Sequence, residues 1–206
     1  ELAVVMEPTD LEIQLGCQGA LNAVVGFDGV AAHSARPWLG ENAITKGGAW
    51  LAEMHLREPE PVLVEGLEFK ELFSVTTAHG GLARNVIPAR FEINLNYRFP
   101  PSLSLDQAEA RLRAVAAAAD TIEIVDRAPA APIPKGNRHL ERLERGSGAE
   151  CTAKQAWTDV ARLTQRGIPA INYGPGEVAK AHRADESAPL EHLDISFRVL
   201  QGFLTT

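Results

Sequence analysis

The sequence is poor in cysteine, in aromatic side chains and in basic charge, and each shortage argues against a class of protein. Two cysteines, Cys17 and Cys151, make neither a disulfide framework nor a closed four-ligand zinc site, and such usage suits a reducing cytoplasm. Twenty Lys and Arg against 27 Asp and Glu leave a net charge of −7 and a pI near 5.4, which argues against a nucleic-acid footprint or a polybasic membrane patch. No apolar run approaches the roughly 18 residues of a membrane span. Internal repeats, low-complexity tracts and a signal-peptide pattern are also missing. What is there is globular in composition: 206 residues, 45% apolar and 23% charged, with 17 Gly and 13 Pro. A chain of that size buries roughly 70% of its unfolded surface, and its expected partners are small molecules and proteins, not nucleic acid or membrane.

The first six residues, Glu1-Leu2-Ala3-Val4-Val5-Met6, read as a buried strand that ends in the turn residues Glu7-Pro8-Thr9-Asp10. Chains rarely open inside a core strand, so residues 1–206 are expected to be the later part of a longer protein. Residues 21–30, rich in Val and Ala, read as a strand, and residues 42–56 carry Ile44, Gly47, Leu51 and Met54 at helical spacing. Residues 71–77 form a further strand. Residues 90–99 alternate Phe91, Ile93, Leu95, Tyr97 and Phe99 with Glu92, Asn94, Asn96 and Arg98, a period of two. Gly80-Gly81 and Asn85 to Pro88 supply turn chemistry for antiparallel pairing of these last two strands. A helix over 105–119 and a short strand over 121–125 complete the order β-α-β-β-α-β. That order predicts a split-βαβ, ferredoxin-like sandwich, a four-stranded antiparallel sheet with two helices on one face, over residues 19–128.

Beyond it, residues 128–134 read as a Pro-rich connector and residues 138–145 as a helix. Thr158 is placed to cap a helix that stops at Gly167, residues 168–173 read as a buried strand, and Gly174-Pro175-Gly176 turns the chain. A terminal helix starts at Pro189 with the stripe Leu190, Leu193, Phe197, Leu200 and Phe203. Residues 1–18 and 129–206 are thus expected to share one α/β domain, interrupted by the inserted 19–128 domain.

Several side chains could carry chemistry, each with a plainer alternative. Glu7 stands at the carboxyl end of the first strand, where open α/β sheets place ligands, and is either a metal ligand or a solvated acid. His182, beyond the Gly-Pro-Gly turn, is either a metal ligand above the sheet edge or a surface histidine. The two fall short of a complete site, because catalytic zinc takes about three protein ligands. His33, among small residues, either donates to a developing oxyanion or caps a turn. Arg98 shares a polar strand face with Asn94 and Asn96, which either receives a substrate carboxylate or is simply solvated. Asp159 follows the Thr158 cap and could do no more than stabilise a helix turn. Neither cysteine has a base nearby in sequence, so a thiol nucleophile has little support.

Met6-Glu7-Pro8-Thr9, Gly29 to Pro37 with Gly40-Glu41-Asn42-Ala43-Ile44, Asn85-Val86-Ile87-Pro88, Asn96-Tyr97-Arg98, Thr158-Asp159, Gly174-Pro175-Gly176 and His182-Arg183-Ala184-Asp185-Glu186 occur in a family's order. Over essentially its whole length the chain resembles the co-catalytic zinc amidohydrolases, the family of succinyl-diaminopimelate desuccinylases, acetylornithine deacetylases and carboxypeptidase G. Within it, Ala153-Lys154-Gln155-Ala156-Trp157-Thr158-Asp159 is most similar to the actinobacterial-type desuccinylases. The resemblance implies an α/β zinc-peptidase-like catalytic domain holding two zinc ions, with cobalt as the alternative metal, and an inserted lid that makes a homodimer. It implies an N-acylated amino acid substrate, N-succinyl-LL-2,6-diaminopimelate, cleaved to succinate and the free diamine. Glu7 matches a carboxylate that binds one ion, and His182 the imidazole that binds the other. His33 corresponds to a lid histidine that reaches the partner's site and stabilises the tetrahedral oxyanion, Asn85 to its neighbouring substrate contact, and Arg98 to the anchor for the substrate carboxylate. Paired zinc ions in such a site activate a bridging water and polarise the amide carbonyl.

The family's His-x-Asp motif, its bridging Asp and its Glu-Glu pair have no counterpart in these residues, so the chain alone is expected to be inactive. The competing expectations are a deacetylase- or carboxypeptidase-like amidohydrolase of the same family, and a non-catalytic dimerisation module.

Overall fold

The computed structural model describes residues 1–181 and 183–205; His182 and Thr206 lie outside the described residues. In chain order the elements are β1 (Ala3–Val5), β2 (Ile13–Leu15), β3 (Gly19–Asp28), β4 (Ala32–His33), α1 (Ala43–His55), β5 (Glu60–Val64), β6 (Leu67–Gly80), β7 (Val86–Ile87) and β8 (Arg90–Phe99). They continue as α2 (Leu105–Val115), β9 (Thr121–Ala128), α3 (Arg138–Ser147), β10 (Cys151–Ala153), α4 (Val160–Gln165), β11 (Ala170–Asn172) and α5 (Leu190–Thr205). None of the described helices is long and apolar enough to cross a membrane.

The larger sheet runs β5-β6-β8-β3-β9 and is antiparallel throughout. Four of its strands, in the order β6-β8-β3-β9 and with α1 and α2, have the ferredoxin-like arrangement that the sequence predicts, and β5 is a fifth strand added beside β6. Alternation on β8 decides which face is buried: Phe91, Ile93, Leu95, Tyr97 and Phe99 point into a core shared with Leu21, Val25, Phe27, Trp50 and Leu112. The helices close that core. α1 starts at Asn42, whose Oδ1 accepts from the Ile44 and Thr45 amides, and it lies so near the sheet at Gly47 that a Cβ there would meet Phe91 at 2.9 Å. α2 opens with a capping box between Ser104 and Gln107 and stops at Val115, short of the predicted residue 119.

The smaller sheet runs β1-β11-β2-β10 and is mixed, so residues 3–15 and residues 151–172 share one sheet although the larger sheet separates them in sequence. One of its faces packs on α3 and α5 through Ile13, Leu15, Ile171 and Tyr173, and Val160 and Ala161 of α4 pack in a second cluster with Cys17 and Ala170. Glutamines tie the two sheets together: Gln18 donates to the Lys70 carbonyl, while Gln155 accepts from the Lys70 amide at 3.0 Å and donates to the Glu68 carbonyl at 2.7 Å.

The structure amends two helix details. Asp159, not Thr158, occupies the N-cap of α4, and it makes no side-chain cap bond. On α5 only the C-terminal half of the predicted stripe, Leu200 and Phe203 with Val199, packs inward, because α3 is short and meets only that half. Leu190, Leu193 and Phe197 stay exposed.

Candidate functional site

The parallel pair β1 and β11 directs both carboxyl ends to the same edge of the smaller sheet. Glu7, half-buried, leaves β1 there. The exits are stitched together: Thr9 Oγ1 accepts from the Gly174 amide at 3.1 Å and donates to the Gly174 carbonyl at 3.2 Å, and the Tyr173 amide donates to the Val5 carbonyl. Gly174 has to lack a side chain, because a Cβ would come within 2.6 Å of the Glu7 carbonyl oxygen. Asp10 extends the stitching, its Oδ2 accepting from the Val178 amide at 3.0 Å at the start of the segment that leads to His182. His182 itself lies outside the described residues. Among the described residues no three His, Cys, Asp or Glu side chains converge as a metal site, so the ligands present do not by themselves fit a closed zinc centre.

Lys154 is a buried side chain that sequence reasoning passed over. It follows β10, is 7% exposed, and burial lowers its pKa, an effect the Glu7 charge partly offsets. In the same sheet Asn172, buried opposite Gln14, has neither side-chain amide atom hydrogen-bonded among the described residues. The only sequence signal for Lys154 was its place in the segment Ala153 to Asp159 that resembles the actinobacterial-type desuccinylases. Burial raises the pKa of the Cys17 thiol, and burial and Glu144 push that of Cys151 up to about 12.

The polar face of the larger sheet presents Arg98. Asn22 Oδ1 accepts from Asn96 Nδ2 at 2.9 Å and from Asn94 Nδ2 at 3.2 Å, and Asn22 Nδ2 donates to Asp126 Oδ2 at 3.3 Å. Asn96 in turn accepts from Arg98 Nε at 3.1 Å. The chain Asp126–Asn22–Asn96–Arg98 thus holds one edge of the guanidinium and leaves the others open. Arg98 lines a cavity of about 520 Å³ that Trp157 and Arg162 close from the α4 side.

His33 and Asn85 are brought together elsewhere. β4 pairs with β7, placing His33 opposite Val86, and the Ser34 amide donates to the Asn85 carbonyl at 2.9 Å. Both side chains are exposed. His33 Nδ1 accepts from the Ala35 amide at 3.1 Å, so the neutral ring carries its proton on Nε2, which is left free to donate. This pair lies at the opposite end of β3 from Arg98. Ala20 is the β3 partner of Arg98, and the eight residues from it to Asp28 span about 27 Å at the rise of an antiparallel strand.

Known proteins of similar sequence and fold agree with this architecture. A protein of Mycobacterium tuberculosis provisionally named as a succinyl-diaminopimelate desuccinylase is 38% identical over 205 residues, covering 99% of this chain and 58% of its own length. The succinyl-diaminopimelate desuccinylase of Corynebacterium glutamicum is 36% identical, covering 100% of this chain and 57% of its own. The chain thus spans a little over half the length of these curated relatives. Among solved structures, aminopeptidase PepT from Bacillus cereus superposes with a TM-score of 0.73 at 18% identity, over 98% of this chain and 55% of that one, a likeness of fold. The sequence pattern of the M20 peptidase dimerisation domain matches residues 15–121, just over half of the chain and four of the five strands of its antiparallel sheet, and this chain therefore belongs to the M20 peptidase dimerisation family.

Proposed function

We propose that residues 19–128 are the lid and dimerisation domain, and residues 1–18 and 129–206 part of the catalytic domain, of a cytoplasmic zinc-dependent amidohydrolase acting as a homodimer. The whole protein then hydrolyses N-succinyl-LL-2,6-diaminopimelate to succinate and LL-diaminopimelate. Glu7 and His182 each give one ligand to a metal ion, zinc or cobalt, and the remaining ligands belong to the rest of the protein. Arg98 receives a substrate carboxylate, and Asn85 contacts the substrate beside His33. His33 donates from Nε2 to the oxygen that becomes negative as the amide carbonyl turns tetrahedral.

The observation that carries the dimeric part is the length of β3. In a succinyl amide the terminal carboxylate and the amide carbonyl are separated by two methylenes, whereas in one chain the strand between the Arg98 end and the His33 end of the sheet spans about 27 Å from Ala20 to Asp28. One copy cannot serve both ends of that acyl group, and a second copy in two-fold symmetry can. The substrate assignment is supported by the 36% and 38% identity to proteins bearing the desuccinylase name.

The test compares the 206-residue chain with the whole protein. The whole protein should turn over N-succinyl-LL-2,6-diaminopimelate well ahead of N-acetylornithine and of N-acylglutamates, and the 206-residue chain should be inactive. It should also retain far fewer than two zinc ions per chain after dialysis. Two retained ions, or turnover by the chain alone, would sink the assignment of the missing ligands to the rest of the protein.

A further inference from the structure

The cavity beside Arg98 is bounded on its far side by Trp157 and Arg162, to which the sequence assigned no role. Arg98, Arg127 and Arg162 line it, with Asp126 as the acid among its lining residues. Their charges are unequally met. Arg127 is paired with Glu109, and Asp126 accepts from Asn22. Arg98 contacts only the neutral Asn96 among the described residues, and Arg162 has Asp159 at a long 3.5 Å while its guanidinium lies 5.2 Å over the Trp157 ring. Two guanidiniums with little compensation, on separate elements of one cavity, make an anion site, and an indole beside them adds an apolar wall.

We infer that Arg162 and Trp157 form the second wall of the carboxylate subsite that begins at Arg98, and that this wall selects acyl groups ending in a carboxylate. The terminal carboxylate sits between the Arg98 and Arg162 guanidiniums, and the methylenes of the acyl chain lie along the indole. The relay from Asp126 through Asn22 and Asn96 holds Arg98 in place. An acyl group with no terminal charge leaves both guanidiniums unmatched. This inference rests on the proposed role of Arg98 as the carboxylate anchor and adds the residues that oppose it.

Titration calorimetry of the whole protein with succinate, glutarate and acetate tests it. The side chain of Arg162 is 72% exposed, so Arg162→Gln should fold normally, and Arg162→Lys keeps the charge while losing the planar stack. The expected result is that succinate and glutarate bind and acetate binds at least about tenfold more weakly, and that Arg98→Gln and Arg162→Gln each weaken succinate about tenfold or more. Arg162→Lys should fall between wild type and Arg162→Gln. If Arg98→Gln weakens succinate while Arg162→Gln leaves it unchanged, the anchor stands and the second wall is refuted. If Arg98→Gln changes nothing, or the wild-type protein prefers no dicarboxylate, the anchor and the inference fall together.

Discussion

The separation of His33 from Arg98 predicts that each active site is built from two subunits. The perturbation is His33→Ala in one preparation of the whole protein and Arg98→Ala in another. Removing an oxyanion donor costs about 10² to 10³ in kcat. Removing a charge-assisted carboxylate anchor costs about 1.5–3 kcal/mol, roughly a tenfold to hundredfold rise in KM. Each homodimer is therefore nearly silent at low substrate. In a mixed dimer, the subunit carrying His33→Ala keeps its own Arg98 and receives an intact His33 from its partner, so one of the two sites is complete. Random exchange of equal amounts makes roughly half the dimers mixed, and activity should recover to about a quarter of wild type. The assay is initial-rate hydrolysis after subunit exchange, with native mass spectrometry counting the mixed dimers. Mixed dimers present without recovery would mean that His33 and Arg98 act within one chain, against the length of β3, or that His33 takes no part.

Other predictions use the 206-residue chain directly. Gly174→Ala drives a Cβ to 2.6 Å from the Glu7 carbonyl and 3.1 Å from the Met6 carbonyl carbon, so urea denaturation should find it about 1–3 kcal/mol less stable. Tyr97→Phe removes the hydroxyl that donates to Glu71 at 2.5 Å, leaving a carboxylate that is 5% exposed with Arg111 as its remaining partner; the expected loss is about 1.5–3 kcal/mol by the same measurement, and an unchanged midpoint would contradict it. Burial raises the pKa of both tyrosines, that of Tyr97 also through Glu71. The unfolded chain sheds phenolic protons above about pH 10 while the folded chain keeps them, so this contribution is fully present below that pH and is lost as pH rises. Ultraviolet titration should therefore detect phenolate only together with alkaline unfolding, and a phenolate step in folded protein at pH 10 would contradict the burial of these rings.

Long elements with a clear period were legible in the sequence, and short ones were not. β8 reads correctly at both ends because ten residues alternate without interruption, and α1 begins and ends within a residue of its predicted span. β6 extends four residues before and three after its predicted 71–77, and its later end is hidden from periodicity because Val75 to Gly80 is exposed and a register shift interrupts the alternation there. β5, with Pro61 and a largely exposed edge position, carries no such pattern at all. β2 and β10 are three residues each, shorter than any periodicity can report, and exist because neighbouring backbone satisfies their hydrogen bonds. On α1 the predicted stripe omits Trp50, which the structure buries with its Nε1 donating to the Val115 carbonyl, a partner 65 residues away.

The candidate site divides in the same way. Sequence alone determined the residue types and their order: an acid after the first strand, a histidine among small residues, an arginine on the polar face of an alternating strand. Those features are local, set by periodicity and turn chemistry within a few residues of each side chain. Tertiary structure decided which of them meet. It joined residues 3–15 to residues 151–172 in one sheet, set Lys154 within reach of the Glu7 charge, and closed the Arg98 cavity with Trp157 and Arg162. It also placed Arg98 at one end of β3 and the strand that carries His33 beyond the other. Contacts across some sixty to one hundred and seventy residues depend on how sheets pack and how far a strand reaches, and no window of sequence contains either quantity.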